Sequence, residues 1–264
     1  MLSTPLFTLT TDFGLRDPYV AEMKAVILGL CKASQIVDIT HAVEKFSIRS
    51  GAYMLASATP YFPKGTINIA VVDPGVGSER RSIIVETKKG FFVGPDNGLL
   101  VLAAQMQGIK RVFEITNKKM MLRMVSFTFH GRDVFAPAAA YLAKGVPLEE
   151  FGAEVVDIVK PAFAEVKKEK GKVIGEILHV DDFGNIITNI HAKDIVYTEG
   201  DSVQAELPHN QLQVRFLKTY ADVMQLEPLL LIDSQSFLEI AINKGSAASL
   251  LQAKPGDRVS FTIS

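Results

Sequence analysis

Residues 69–81 read IAVVDPGVGSERR, an apolar run that ends in Asp73, turns through Pro-Gly-Val-Gly and leaves through two arginines. The opening Ile, Ala and Val residues predict a buried strand, which places Asp73 where that strand ends. Pro74, Gly75 and Gly77 let the chain reverse there. If residues 82–86 return as the next strand, Arg80 comes back beside Asp73. A guanidinium next to a carboxylate at a strand end is commonly a structural salt bridge, because buried charges are paired. The sequence on either side decides whether this one is more.

Upstream, residues 5–10 form a short apolar and β-branched strand that delivers Thr11, Asp12, Phe13 and Gly14 at its carboxyl end. Asp17 before Pro18 predicts a helix start with a capping acid, and Val20, Met23, Val26, Ile27 and Leu30 then share one helical face. A strand over 35–39 ends at Thr40 and His41, and Ser47 caps a second helix running to about residue 57. Strand, helix, strand, helix, strand predicts an α/β domain with a mainly parallel sheet and right-handed crossovers. Ligands bind such sheets beyond the carboxyl ends of the strands, where Asp12 and Asp73 both fall. Downstream come strands over 82–86 and 91–94, the turn Pro95-Asp96-Asn97-Gly98, a helix over 99–107 and a strand over 111–115. A looser region ends in Phe129-His130-Gly131-Arg132, followed by an alanine-rich helix over 133–144 that Asp133 could cap and Gly145 closes.

Residues 161–172 are polar, charged and without periodicity, which marks a linker. Short strands follow over 173–180, 186–190, 202–207, 212–216, 229–232, 237–242 and 258–263, a spacing that predicts a small antiparallel β-barrel or sandwich. The expected organisation is an N-terminal domain over 1–163 and a smaller C-terminal one over 172–264.

The chain has 264 residues, 48% of them hydrophobic, and a formal net charge of -1. That supports a substantial core without staples and gives no footprint for nonspecific nucleic-acid or anionic-membrane binding. No signal-peptide pattern opens the sequence and no apolar run approaches the ~20 residues of a membrane span, so a cytoplasmic protein is expected. The one cysteine, Cys31, sits in an apolar helical pattern and reads as a small core residue. There is no HExxH and no Cys/His cluster, so neither a protein-held metal nor a cofactor is expected.

Several residues carry two readings. Asp12 is either an acceptor for both hydroxyls of a ribose diol or a turn acid. His130 is either chemically active or a hydrogen-bonded structural histidine. The string Val180-Asp181-Asp182-Phe183-Gly184-Asn185 reads as a hairpin loop. It also gathers the groups that hold an ammonium, stack a purine and bond its edge.

The motifs TTDFG, VDPGVGSERR, PDNGLL, FHGRD, VDDFGN and DSQSFLEIAINKGSAASLL, in that order, resemble the S-adenosylmethionine (SAM) hydroxide adenosyltransferases, or SAM hydrolases, relatives of the enzymes that chlorinate or fluorinate SAM. The resemblance covers nearly the whole chain. It implies an α/β domain followed by a β-barrel domain, a homotrimer with sites between subunits, and attack of water or hydroxide on ribose C5′ to give adenosine and methionine. It carries the nucleophile's surroundings to Asp73, Arg80 and His130, with Arg81 as the neighbouring alternative to Arg80. It carries the ribose hydroxyls to Asp12, the methionine amino group to Asp181, the adenine to Asn185 and Asn243, and the methionine carboxylate to Ser234. Phe46 matches an aromatic that flanks the sugar; the alternative is a core Phe. Halogenating relatives have a small hydroxyl-bearing residue at Gly131, an uncharged aromatic at Asp73, and an extra loop before the PDNGLL-like motif; these departures favour water over halide. They also have an arginine where this chain has Gln235, so the methionine carboxylate has a different anchor here. The competing expectations are a halide adenosyltransferase and a module that binds SAM or a nucleoside without turnover.

Overall fold

The computed structural model describes residues 4–169 and 171–263. The chain divides into two compact units, Met1–Lys160 and Pro161–Ser264. The first contains β1 (Leu6–Thr11), α1 (Tyr19–Leu30), β2 (Gln35–Thr40), α2 (Ile48–Ala58), β3 (Ile67–Val71), β4 (Ser82–Thr87), β5 (Phe91–Pro95), α3 (Val101–Gln107), β6 (Ile109–Glu114) and α4 (Ala136–Ala143). Its sheet runs in the order β2-β1-β3-β5-β4-β6. Strand β1 is parallel to β2 and β3, and β3 is parallel to β5, whereas β4 is antiparallel to both its neighbours.

The chain moves from β1 outward to β2 and then back past β1 to β3. Right-handed crossovers on those two paths lie on opposite faces, and the carboxyl ends of β1 and β3 open a crevice between them. Phe7, Leu9, Ile69 and Val71 pack with Val20, Met23 and Ile27 of α1 and with Ala136 and Ala139 of α4. Helix α2 packs on α3. Covered in this way, β3 is buried at every residue. A polar chain crosses the sheet fully bonded: Thr8 Oγ1 donates to Asn68 Oδ1 at 2.8 Å, and Asn68 Nδ2 to the Phe91 carbonyl at 3.1 Å.

Residues 82–86 do return as a strand, β4, with β5 between it and β3. Three local expectations are corrected. Asp17 does not cap α1; Pro18 is the capping residue and no side chain bonds the first turn. The helix does not start at Asp133: a π-helical turn, Gly131–Phe135, precedes α4. Asp133 caps nothing because its carboxylate is taken by the Ser126 amide at 2.8 Å and by Arg132 Nε at 2.6 Å. Ser47 does cap α2, accepting from the Ser50 amide.

The second unit contains β7 (Lys167–Glu169), β8 (Lys172–Val180), β9 (Ile186–His191), β10 (Ser202–Glu206), β11 (Gln211–Arg215), β12 (Pro228–Ile232), β13 (Phe237–Ile242), α5 (Ala247–Leu251) and β14 (Arg258–Ile263). The antiparallel order is β11-β10-β14-β8-β9-β13-β12, with β7 beside β8. A bridge between Phe216 and Leu230 brings the ends of the sheet together, so it is a nearly closed barrel around Ile177, Ile186, Val203, Leu230, Ile240 and Phe261. The stretch expected as a linker is partly built into this unit. Phe163 is buried, β7 pairs with β8, and Asn189 Nδ2 donates to the carbonyls of Phe163 and Glu165; Lys170 lies outside the described residues. No helix of the described residues is long and apolar enough to cross a membrane.

Candidate active site

Asp73 stands just beyond β3, and the loop after it is folded by its own bonds. The Val76 amide donates to the Asp73 carbonyl at 3.2 Å, and Ser78 Oγ donates to the Gly75 carbonyl at 2.7 Å. Gly77 has φ +77°, and a Cβ there would sit 2.3 Å from the Phe127 carbonyl oxygen. The loop therefore returns Arg80 onto Asp73. Arg80 Nε lies 3.1 and 3.0 Å from the two carboxylate oxygens, and Nη2 lies 2.5 Å from Oδ2. Both side chains are nearly buried. Arg81 points elsewhere, to Asp96 and Asp157, so Arg80 is the arginine that meets Asp73.

The same guanidinium reaches His130, with Nη2 2.7 Å from the ring Nδ1. Its Nη1 donates to Ser82 Oγ at 2.7 Å and to the Arg81 carbonyl at 3.3 Å. An arginine has five N–H donors, and these partners engage all of them. Since Arg80 can only donate, His130 Nδ1 must accept. Burial, and then the Arg80 charge, push the His130 pKa below its usual value, so the ring is neutral with its hydrogen on Nε2. The π turn that starts after His130 sits over an aromatic cluster of Phe13, Tyr19 and Phe129.

Asp12, at the end of β1, is 6% exposed. Its Oδ2 accepts from the Phe46 amide at 2.9 Å, and Lys45 Nζ donates to its carbonyl. Phe46 is no core residue. The residue is 68% exposed and its φ is +65°, a left-handed conformation that costs a non-glycine residue about 1–2 kcal/mol. Asp12, Lys45, Phe46, Asp73, His130, Gly131 and Arg132 line one cavity of about 660 Å³. It lies where the strand order predicted a crevice.

The remaining candidates lie in the second unit. Asp181 and Asn185 sit in the β8–β9 hairpin. Asp181 Oδ1 accepts from the amides of Phe183 and Asn185, and Oδ2 from Asn185 Nδ2 at 3.0 Å. Phe183 is 81% exposed. Asp181, Phe183, Asn185, Tyr220 and Asn243 line a cavity of about 550 Å³. Ser234 is not among its lining residues; it occupies an exposed turn between β12 and β13. Asn243 Nδ2 donates to the Val223 carbonyl at 2.8 Å. Asp182 is exposed, as expected of a solvated hairpin acid.

The model of the SAM hydroxide adenosyltransferase N-terminal domain matches residues 7–152, and that of its C-terminal domain residues 175–260. The chain belongs to the SAM hydroxide adenosyltransferase family. It is 40% identical over 270 residues to a protein of Salinispora tropica named (R)-S-adenosyl-L-methionine hydrolase, covering 99% of each chain. It is 28% identical to the fluorinase of an Actinoplanes species over 98% of this chain and 97% of that one. The crystal structure of a conserved protein from Thermotoga maritima superposes with a TM-score of 0.87 at 38% identity, covering 97% of this chain and 99% of that chain.

Three residues in or near this family member's cavities escaped the sequence reading. Lys45 touches Asp12, although its neighbour Phe46 was singled out. Tyr220 lines the second cavity and donates from its hydroxyl to Glu239 Oε1 at 2.8 Å. The signal was a capping box, Thr219 and Asp222, that marks the turn presenting it. His41 was read only as the end of a strand.

Proposed function

We propose that the chain is a cytoplasmic enzyme that hydrolyses SAM to adenosine and methionine, with no metal or cofactor. The observation that carries the reading is the Asp73–Arg80–His130 constellation on the cavity that Asp12 and Phe46 also line. The leaving group is a sulfonium sulfur, which departs as a neutral thioether and needs no acid. A C5′–O bond forms as the C5′–S bond breaks, sulfur keeps the bonding pair, and the water's second proton passes to the carboxylate or to solvent.

The difficulty is the nucleophile, since bulk water has a pKa near ~15.7. With its donors spent on Asp73, His130, Ser82 and the Arg81 carbonyl, Arg80 acts by holding the other two in place. Neutral His130 offers Nε2–H to the water oxygen, and Asp73 accepts from the water. A carboxylate is a far weaker base than hydroxide, so the site works by position and field more than by full deprotonation.

The same residues favour water over halide. Asp73 would repel an anion at the nucleophile's place. A Cβ at Gly131 would meet Met23 Sδ and Phe129 Cε2 at 3.2 Å and Phe13 Cζ at 3.4 Å, so the hydroxyl-bearing residue of the halogenating relatives would crowd this turn.

In this reading Asp12 takes the ribose hydroxyls, and Phe46 covers the sugar. Asp181 takes the amino group, Asn185 and Asn243 the adenine, and Ser234 the carboxylate. The working assembly is a homotrimer in which each site joins the first unit of one subunit to the second unit of another; the family resemblance supports this part.

The test is incubation with SAM in oxygen-18 water, with and without chloride, and mass spectrometry of the nucleoside. Adenosine labelled at its 5′ oxygen is expected. A chlorinated nucleoside would make the chain a halide adenosyltransferase, and unchanged SAM with bound nucleoside would make it a binding module.

A further inference from the structure

We propose that His41, held between Asp38 and Thr11, is a positioning residue for the carboxylate of Asp12; this rests on the reading of Asp12 as the ribose-binding acid. Thr11 closes β1, His41 follows β2, and both are buried. Thr11 Oγ1 lies 2.9 Å from His41 Nδ1 and accepts from the Phe13 amide at 3.2 Å. The other ring nitrogen, Nε2, lies 3.1 Å from Asp38 Oδ1, a charge contact without hydrogen-bond geometry, and Asp38 Oδ2 is held by Lys24 Nζ at 2.6 Å. A carboxylate can only accept. In the neutral ring the hydrogen therefore sits on Nε2, and Nδ1 accepts from the Thr11 hydroxyl. The Phe13 and Thr11 donors then point the same way, towards His41, and these two bonds polarise each other, while the Nε2 side of the ring faces Asp38.

This relay fixes the turn on which Asp12 stands. The Gly14 amide donates to the His41 carbonyl at 2.7 Å, and the Val43 amide to the Thr11 carbonyl at 3.3 Å. Lys45 and Phe46 then close on Asp12 from the same loop. A left-handed Phe46 persists only where its surroundings over-determine it, and residues 41–46 are tied down at the His41 end. None of these groups reaches the carboxylate–arginine–histidine constellation. Their effect should fall on ribose binding, which substrate and nucleoside product share, and not on the chemical step.

The experiment compares Thr11→Val and Asp38→Ala with wild type. It measures kcat and KM for SAM, and Kd for adenosine and for methionine by calorimetry. Thr11→Val keeps the side-chain shape and removes the hydroxyl. Asp38 lies on the edge strand with its side chain 35% exposed, so its removal leaves the fold intact if the buried threonine proves intolerant. Both variants should raise KM and the adenosine Kd by about tenfold, the cost of one buried bond, with kcat and the methionine Kd within about twofold. Unchanged adenosine affinity in Asp38→Ala overturns the relay, as does equal weakening of adenosine and methionine. Wild-type protein that binds no adenosine overturns the reading of Asp12 itself, and the relay with it.

Discussion

At the scale of single residues, Arg80, which holds Asp73 and His130 at the first cavity, is the least replaceable group. Lysine keeps the charge but carries three donors on one atom, where the guanidinium spreads five over a plane to meet Asp73, His130, Ser82 and the Arg81 carbonyl. Arg80→Lys should lower kcat by at least ~100-fold, the range of one lost preorganised donor, with a smaller rise in KM. Arg80→Met leaves Asp73 buried and unpaired, which should cost about 3–5 kcal/mol of stability by equilibrium unfolding. His130 adds a pH dependence of defined sign. Burial and Arg80 hold its pKa below the usual value, and protonation would make Nδ1 a donor facing a guanidinium. The kcat/KM for SAM should therefore be flat through neutrality and fall as pH drops through a value below 6.5. An acid limb above that value would contradict the neutral ring. Glu239 behaves oppositely. Burial, with Asp233 and Asp181 adding to it, pushes its pKa from 4.5 up to about 7. The folded protein keeps this proton where the unfolded chain has lost it, so the stabilisation is complete below the unfolded value and disappears as pH rises through about 7. The shift corresponds to about 3 kcal/mol. Glu239→Gln keeps an acceptor for Tyr220 and should flatten that slope in unfolding measured from about pH 5 to about pH 9; parallel curves for the two proteins would rule the effect out.

At the scale of elements, the Pro-Gly-Val-Gly loop is a fitted part. Gly77→Ala meets both a left-handed backbone, worth about 1–2 kcal/mol, and the Phe127 carbonyl at 2.3 Å. The loop must move, and turnover should collapse while the melting temperature drops by only a few degrees. Wild-type turnover in this variant would show that Arg80 does not need the loop. The strands were legible in sequence because each is an apolar or alternating run with turn residues at its ends. Their order was not: β5 enters between β3 and β4 through pairing that no local pattern encodes. Asp17 and Asp133 had the composition of caps, yet tertiary partners claimed Asp133 and a proline occupied the capping position after Asp17. The three exposed residues of β7, Lys-Lys-Glu, pair through backbone alone, so hydropathy could not reveal them. The site followed the same rule. Asp73 and Arg80 were legible as a pair because thirteen consecutive residues hold both. His130 was legible as one of two readings and gained its role only through resemblance, and Tyr220 was missed because its one signal, the capping box of Thr219 and Asp222, marks a turn and not a site.

At the scale of the whole molecule, two cavities of about 660 and 550 Å³ sit one in each unit, and the proposed substrate needs groups from both. If a working site combines units from different subunits, Asp12→Ala and Asp181→Ala proteins, each nearly inactive, should regain partial activity when mixed and reassembled. No regain after demonstrated subunit exchange would count against an intersubunit site. The Asp73–Arg80 contact spans 7 residues and the Arg80–His130 contact 50. Closing the longer loop costs about 1.7 kcal/mol more in chain entropy, so the constellation has a built-in order of assembly. During refolding the ion pair is therefore expected to form before the histidine joins it. Recovery of SAM turnover should therefore lag behind recovery of the sheet, and the protein should pass through a folded but inert stage before it can consume its substrate.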